Sequence, residues 1–299
     1  MKPSTNMHTL ASLQALIADT LKRYLASPGA INRRFHVPSL EGRMRHIPGK
    51  PLHVMPELFL QLNGMNRIEF PTERYDLTPG HICLIPRGLP HGERFIRTRG
   101  RFCMIVVMFD PQRIRFSLND LYSRPQRSCG LTRIADTTDS VRIAAALDDL
   151  ARMAQSGDEW HRQARREFGL GILAWLGATL TTQPMSERYS QKVARTLLLI
   201  SEHLENPELG TATLARWIGC APDYLSDRFH KETGMPLIQH MQRERLNKAR
   251  YLLDHSPMRI KELAGACGFE DPDYFGRLFH RFAGLTPSQY RSHHPEAAR

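Results

Sequence analysis

The sequence predicts a multidomain protein: an all-β region with a helical hairpin, followed by an all-α unit built on two helix-turn-helix motifs. Three observations carry that prediction. Short runs of alternating or β-branched residues, punctuated by turn pairs, occupy residues 35–135. Helical periodicity without a strand signal fills the chain beyond 190. A repeat offset by 49–50 residues runs through the last hundred. A length of 299 residues suits about two domains.

The elements follow in order. In the first segment, 1–30, an amphipathic helix is expected over 8–26, where Leu10, Leu13, Ile17, Leu21 and Tyr24 recur at helical spacing and Ser27-Pro-Gly29 stops it. It reads either as a helix packed on the next domain or as an arm that responds to a ligand. Residues 31–138 form the expected barrel or sandwich. Leu58–Leu62 and Arg67–Phe70 alternate, Asn63-Gly64 and Pro79-Gly80 are turn pairs, and Phe102–Phe109 is a continuous apolar run. Residues 139–183 read as a helical hairpin. Val141, Ala144, Leu147, Leu150 and Met153 share one face. After Ser156-Gly157, Phe168, Ile172, Trp175, Leu176 and Leu180 mark a second helix that is apolar almost all round, either core or a homodimer seam. Residues 184–190 look like a linker, and 191–293 form the all-α unit.

The repeat is the most informative feature. Ala215 matches Ala264 and Gly219 matches Gly268 at offset 49; Pro-Asp-Tyr, Phe229/Phe279, His230/His280 and Gly234/Gly284 match at offset 50. In the second copy, Ile260, Leu263, Ala264 and Cys267 form a helical stripe, and Gly268 supplies the positive φ of a tight turn. Asp271 caps the next helix, with Pro272 at its first position. Phe275, Leu278, Phe279 and Phe282 then form a second stripe. The first copy does the same with Leu214, Ile218, Gly219, Leu225 and Phe229. Each copy is a helix-turn-helix.

If those stripes face inward, the opposite faces are open to a partner. They carry Asp223, Ser226, Asp227, His230 and Lys231 in the first copy, and Asp273, Gly276, Arg277, His280 and Arg281 in the second. This face of a helix-turn-helix enters the major groove of double-stranded DNA. Arg277 is the best candidate for a base contact, since its fork of donors matches guanine O6 and N7. The aspartates repel phosphate and suit helix capping or cytosine N4. A connecting helix over Pro236–Leu253, with Ile238, Met241, Leu246, Ala249 and Leu252 as its stripe, would span about 27 Å. Two reading helices so joined would meet consecutive major grooves, about 34 Å apart.

Residues 190–292 resemble the AraC/XylS family of transcription regulators, through Arg245–Leu253, Ile260–Ala264, Gly268–Phe279 and Gly284–Arg291. The resemblance implies a sequence-specific DNA-binding regulator, usually an activator. Gly276 departs from the small polar residue the family usually has there. Upstream, Gly80–His91 resembles the second motif of cupin-like sensor domains, with Gly80, Pro86, Gly88 and His91 in place. That implies a barrel binding a small effector, with Arg87 and His91 as candidate ligand contacts or, equally, exposed loop residues; with no metal-ligand partners in the sequence, His91 alone reads as a core or pocket residue. An effector-independent or partner-regulated DNA binder is the alternative.

Enzyme classes find little support. No P-loop, paired-carboxylate motif or Ser/His/Asp constellation is visible. No H-x-H pair precedes residue 80, so no metal or other cofactor is expected and a cupin-type metalloenzyme is the weakest reading. The five cysteines form no C-x-x-C pair, which argues against a disulfide framework or zinc finger and for a cytoplasmic protein. The longest apolar run, eight residues, is well short of the ~20 of a membrane helix. Net charge is +11 and pI about 9.8, as expected for a polyanion partner. Yet residues 186–299 carry only +2, and 1–185 carry +9. Residues 87–133 alone hold ten Arg against Glu93, Asp110 and Asp120. The surplus points to an anion met by the N-terminal half: an acidic effector, flanking DNA or RNA polymerase.

Overall fold

The computed structural model describes residues 10–26, 34–47, 50–96, 102–110, 113–121, 128–182 and 189–293. The linker residues 184–188 and the stop signal Ser27-Pro-Gly29 lie outside that set. By its contacts the chain divides into two units: Met1–Glu41, Met55–Arg87 and His91–Arg188, and then Gly42–Val54, Gly88–Pro90 and Tyr189–Arg299.

The first unit opens with helix α1 (Leu10–Leu25). Nine strands follow: β1 (Phe35–His36), β2 (Glu57–Asn63), β3 (Met65–Glu69), β4 (Arg74–Leu77), β5 (Ile82–Ile85), β6 (Gly92–Ile96), β7 (Phe102–Asp110), β8 (Arg113–Leu121) and β9 (Ser128–Asp136). They make a six-stranded sheet, β1-β5-β2-β7-β8-β9, and a three-stranded sheet, β4-β3-β6. Every pairing is antiparallel except β1 with β5. Helices α2 (Asp139–Met153) and α3 (Glu159–Thr182) complete the unit.

β2, read from its alternation, is buried on both faces from Glu57 to Gln61. It is central, between β5 and β7. Leu58 and Leu60 join a cluster with Ile17 and Leu21 of α1, Leu147 and Leu150 of α2, and Ile172 and Leu176 of α3. Phe59 and Gln61 project from the opposite face of the same strand, by its period of two. Helices thus cover one side of the large sheet, as an apolar sheet face requires.

The same cluster corrects the hairpin. Val141, expected in the apolar stripe, is exposed, whereas Ile143, Leu147, Leu150 and Ala151 are buried. The apolar girth of α3 is spent inside the unit: Ile172, Leu173, Leu176 and Leu180 are buried in the cluster with α1, and Trp175 packs against it.

The second unit carries α4 (Gln191–His203), α5 (Thr211–Ile218), α6 (Pro222–Thr233), α7 (Leu237–His255), α8 (Ile260–Ala266), α9 (Pro272–Ala283) and α10 (Pro287–His293). Its described residues build two clusters. Val193, Leu199, Leu214, Leu225, Phe229 and Met241 build one; Leu252, Leu263, Ala264, Phe269, Phe275 and Phe279 build the other. Met44 and Leu52 also join the second, and the Leu52 N–H donates to Glu205 at 2.6 Å. Glu205 holds buried Lys248 as well, at 2.6 Å.

The connecting helix α7 runs 19 residues, about 28 Å at 1.5 Å per residue. Met241, Leu246, Ala249 and Leu252 of the expected stripe are buried, and only its first member is replaced. Leu237 is buried and Ile238 is 55% exposed. Phe282 likewise leaves its predicted stripe: it is 37% exposed at the last turn of α9, with the Arg250 guanidinium 5.9 Å from its ring.

Candidate nucleic-acid interface

The second helix-turn-helix is built from α8, a glycine turn and α9. Glu262 accepts from the Arg259 N–H at 3.1 Å and so closes the start of α8. Gly268, at φ +80°, makes the turn. A Cβ there would lie 2.4 Å from the Leu204 carbonyl oxygen, so the turn needs both the angle and the bare backbone. That carbonyl sits just past α4 and accepts from Arg245 Nε at 3.1 Å, while Arg245 Nη2 reaches the Asn206 carbonyl at 2.7 Å. Cys267, beside the turn, is a core residue: burial pushes its thiol up to about 12.

Asp271 then caps α9. Its carboxylate accepts from the Asp273 N–H at 2.8 Å, and Pro272 occupies the first turn. Fully buried Phe275 and Phe279 anchor the helix. Its other face presents Asp273, Arg277, His280 and Arg281, all exposed, with Gly276 between them. These residues, with Pro272 and Thr286, line an open cleft of about 750 Å³. Among the described residues, no carboxylate pairs with Arg277, His280 or Arg281. The guanidinium groups of Arg277 and Arg281 are therefore free for charge-assisted hydrogen bonds to an anion.

The first copy repeats the design with different electrostatics. Gly219 ends α5 at φ +76°, and Pro222 starts α6 without a side-chain cap. Leu225 and Phe229 are fully buried, at the positions of Phe275 and Phe279. Asp223, Asp227, His230 and Lys231 are exposed and Ser226 is half-buried. Here the cations are engaged: Lys231 pairs with Asp227 at 2.8 Å and Arg228 with Glu232, which also accepts from the Ser190 N–H.

The structure therefore brings the ten predicted partner-facing residues onto two helix faces, five on each. Sequence reasoning missed Thr286 in the cleft wall. Its signal was the Thr286-Pro-Ser-Gln289 spacing of a capping box, in which Thr286 Oγ1 accepts from the Gln289 N–H at 3.3 Å and Gln289 Oε1 from the Thr286 N–H at 2.9 Å.

The two ligand candidates of the first unit part company. Arg87 is engaged in an ion pair with Asp148 of α2 at 3.0 Å, which an apolar-stripe reading of α2 could not foresee. His91 is wholly buried, with Phe59 and Phe70 rings 6.2 and 6.3 Å away, so it is no exposed loop residue. Its ring lies 4.0 Å from Glu93 and within 4.8 Å of the Glu57 carboxylate. No sequence motif marks Glu57, yet the fold brings it to His91. His81, on the neighbouring turn, instead bonds His36 at 2.9 Å.

A model of the helix-turn-helix domain family matches residues 214–293. The HTH-type transcriptional activator RhaR of Salmonella arizonae is 44% identical over 72 residues, which are 24% of this chain and 26% of that protein. The chain thus spans about a quarter of the length of the curated relatives it matches. Two solved structures share 30% identity. The C-terminal domain of AraT, a response regulator from Geobacillus stearothermophilus, has a TM-score of 0.35 and covers 36% of this chain and 88% of its own. The DNA-binding domain of AdpA, a global transcriptional factor, in complex with a target DNA, has a TM-score of 0.33 and covers 35% and 93%. No helix of the described residues is long and apolar enough to cross a membrane. The repeat, the two glycine turns and the family match fall on one stretch, and residues 214–293 form a helix-turn-helix domain.

Proposed function

We propose that the whole chain is a sequence-specific transcription regulator, most simply an activator. Its helices α6 and α9 read two consecutive major grooves, and its first unit senses a small effector. The observation that carries the reading is the exposed face of α9, where Arg277, His280 and Arg281 stand without carboxylate partners among the described residues. Phosphate contacts position such a unit and base contacts specify it. Effector binding would shift the balance between states that bind DNA with different affinity. The paired sheets of the first unit support a cupin-like sensor. The cationic excess of the N-terminal half supports an anionic effector, or RNA polymerase as a further partner. A homodimer is the expected assembly.

The test is selection of duplexes from a random pool, followed by mapping in cells. A defined site should be enriched, and Arg277→Ala should cost about 1–3 kcal/mol and relax one base position. An unchanged footprint and affinity would remove Arg277 from base reading. A second reading, a metal ion in the first unit, draws on the approach of Glu57 to His91. Purified protein free of transition metal after growth in metal-replete medium would sink it.

A further inference from the structure

Gly276 has no reason inside the fold. It lies in the middle of α9, where glycine is less favourable than alanine. Two features oblige a chain to use glycine: a left-handed backbone, or a neighbour too close for a Cβ. Gly276 is not among the positive-φ glycines, and a Cβ built on it meets nothing within 4 Å. Gly268, eight residues earlier, shows what a fold-imposed glycine looks like, with both features present. The repeat supplies an internal control, since Ser226 occupies the same position in α6 and is accommodated there.

What surrounds Gly276 is the open cleft of about 750 Å³ and the unpaired side chains of Arg277, His280 and Arg281. One turn before it, at the four-residue spacing that shares a helix face, stands Pro272. Pro272 and Gly276 both line the cleft and offer it no side-chain donor, with Asp273, Arg277, His280 and Arg281 around them.

We propose that Gly276 is a specificity determinant for DNA, a notch in α9 that admits the 5-methyl group of a thymine. Resting on the DNA-reading function above, the inference adds which base it selects and how. Of the groups lining the major groove, the thymine methyl is the apolar one; the others are hydrogen-bond donors or acceptors. A side chain at 276 would fill the notch and hold the base edge away from the helix backbone.

The test compares the full-length protein with Gly276→Ala and Gly276→Ser. The duplex is selected by the wild-type protein from a random pool, and each thymine is replaced in turn by deoxyuridine, which removes only the methyl. Both variants should melt higher, by about 2–4 °C, and bind the selected duplex about tenfold more weakly. One deoxyuridine position should weaken the wild type about tenfold and leave Gly276→Ala unaffected. Lower melting of both variants would return Gly276 to a structural role and overturn the inference. So would wild-type affinity in the variants, or an absence of any methyl-sensitive position. Failure of the wild type to enrich any sequence would instead remove the DNA reading itself, and the notch with it.

Discussion

Two turn glycines that align in the repeat carry different loads. Both adopt left-handed φ, +76° at Gly219 and +80° at Gly268. A Cβ at Gly219 meets nothing, whereas at Gly268 it collides with the Leu204 carbonyl. Gly219→Ala should therefore cost only the left-handed penalty, about 1–2 kcal/mol. Gly268→Ala should cost more, because α8, α9 and the Arg245 bonds behind the turn must all shift. Denaturant titration of the two variants checks the order; equal losses would show that backbone angle alone governs both turns. The sequence made both glycines legible as turns but could not separate them, since the difference lies in a carbonyl more than sixty residues away along the chain.

His36 gives a pH handle on the first unit. Burial, helped by neighbouring His81, lowers it to about 4 from an ordinary 6.5, against the opposing pull of Glu73. Its ring bonds His81, itself lowered by burial and by Arg34, and lies 4.7 Å from Tyr75, whose hydroxyl donates to Glu73. Below pH 6.5 the unfolded chain takes up a proton that the folded His36 refuses until about pH 4. The stability held by neutral His36 is thus complete above 6.5 and is lost as pH falls toward 4. Thermal melting of the full chain should drop across that window, and His36→Asn should flatten the drop. An identical pH profile in the variant would assign the acid sensitivity elsewhere.

At the scale of elements, the two reading helices are copies in packing and opposites in charge economy. Leu225 and Phe229 anchor α6 as Phe275 and Phe279 anchor α9. On α6, however, Lys231 is held by Asp227, and the Asp223 and Asp227 carboxylates are both exposed. On α9, Asp271 turns its carboxylate to capping and leaves the arginines to a partner. An exposed i,i+4 pair adds only about 0.3–0.5 kcal/mol to its helix, so freeing Lys231 should cost little stability. Asp227→Asn should therefore tighten DNA binding severalfold with almost unchanged melting. Weaker binding would make Asp227 a base contact rather than a restraint on Lys231.

Which elements could be read in advance follows from where their information sits. Caps, turn glycines and buried aromatics are local signals, and they located α8, the turn and α9 nearly to the residue. Ile238, Phe282 and Val141 were misplaced because a helical stripe is wide enough to include its own edge. Only the packing of neighbours decides which edge residue is covered. The approach of Glu57 to His91 was invisible for a stronger reason: it joins the first residue of β2 to the turn before β6, a meeting that sheet topology creates and spacing along the chain does not encode.

At the scale of the whole molecule, the charge is on the wrong half for a simple electrostatic grip. The half with the reading helices carries +2, and the other carries +9. Some of the first unit's arginines are already committed: Arg67 to Asp76, Arg87 to Asp148, Arg115 to Asp110 and Arg113 to Asp136. Those commitments leave exposed groups such as Arg74 and Arg94 for an anion. If that anion is an effector and not the duplex, the salt dependence of DNA binding belongs to the second unit alone. Each phosphate contact contributes about −0.9 to the slope of log Kobs against log salt. Anisotropy titrations of the full chain between about 50 and 200 mM salt then have a definite expectation. Arg281→Gln should make the slope shallower by about one, and Arg74→Gln with Arg94→Gln should leave it unchanged. A slope that becomes shallower with the second pair would instead place the N-terminal surplus on flanking DNA.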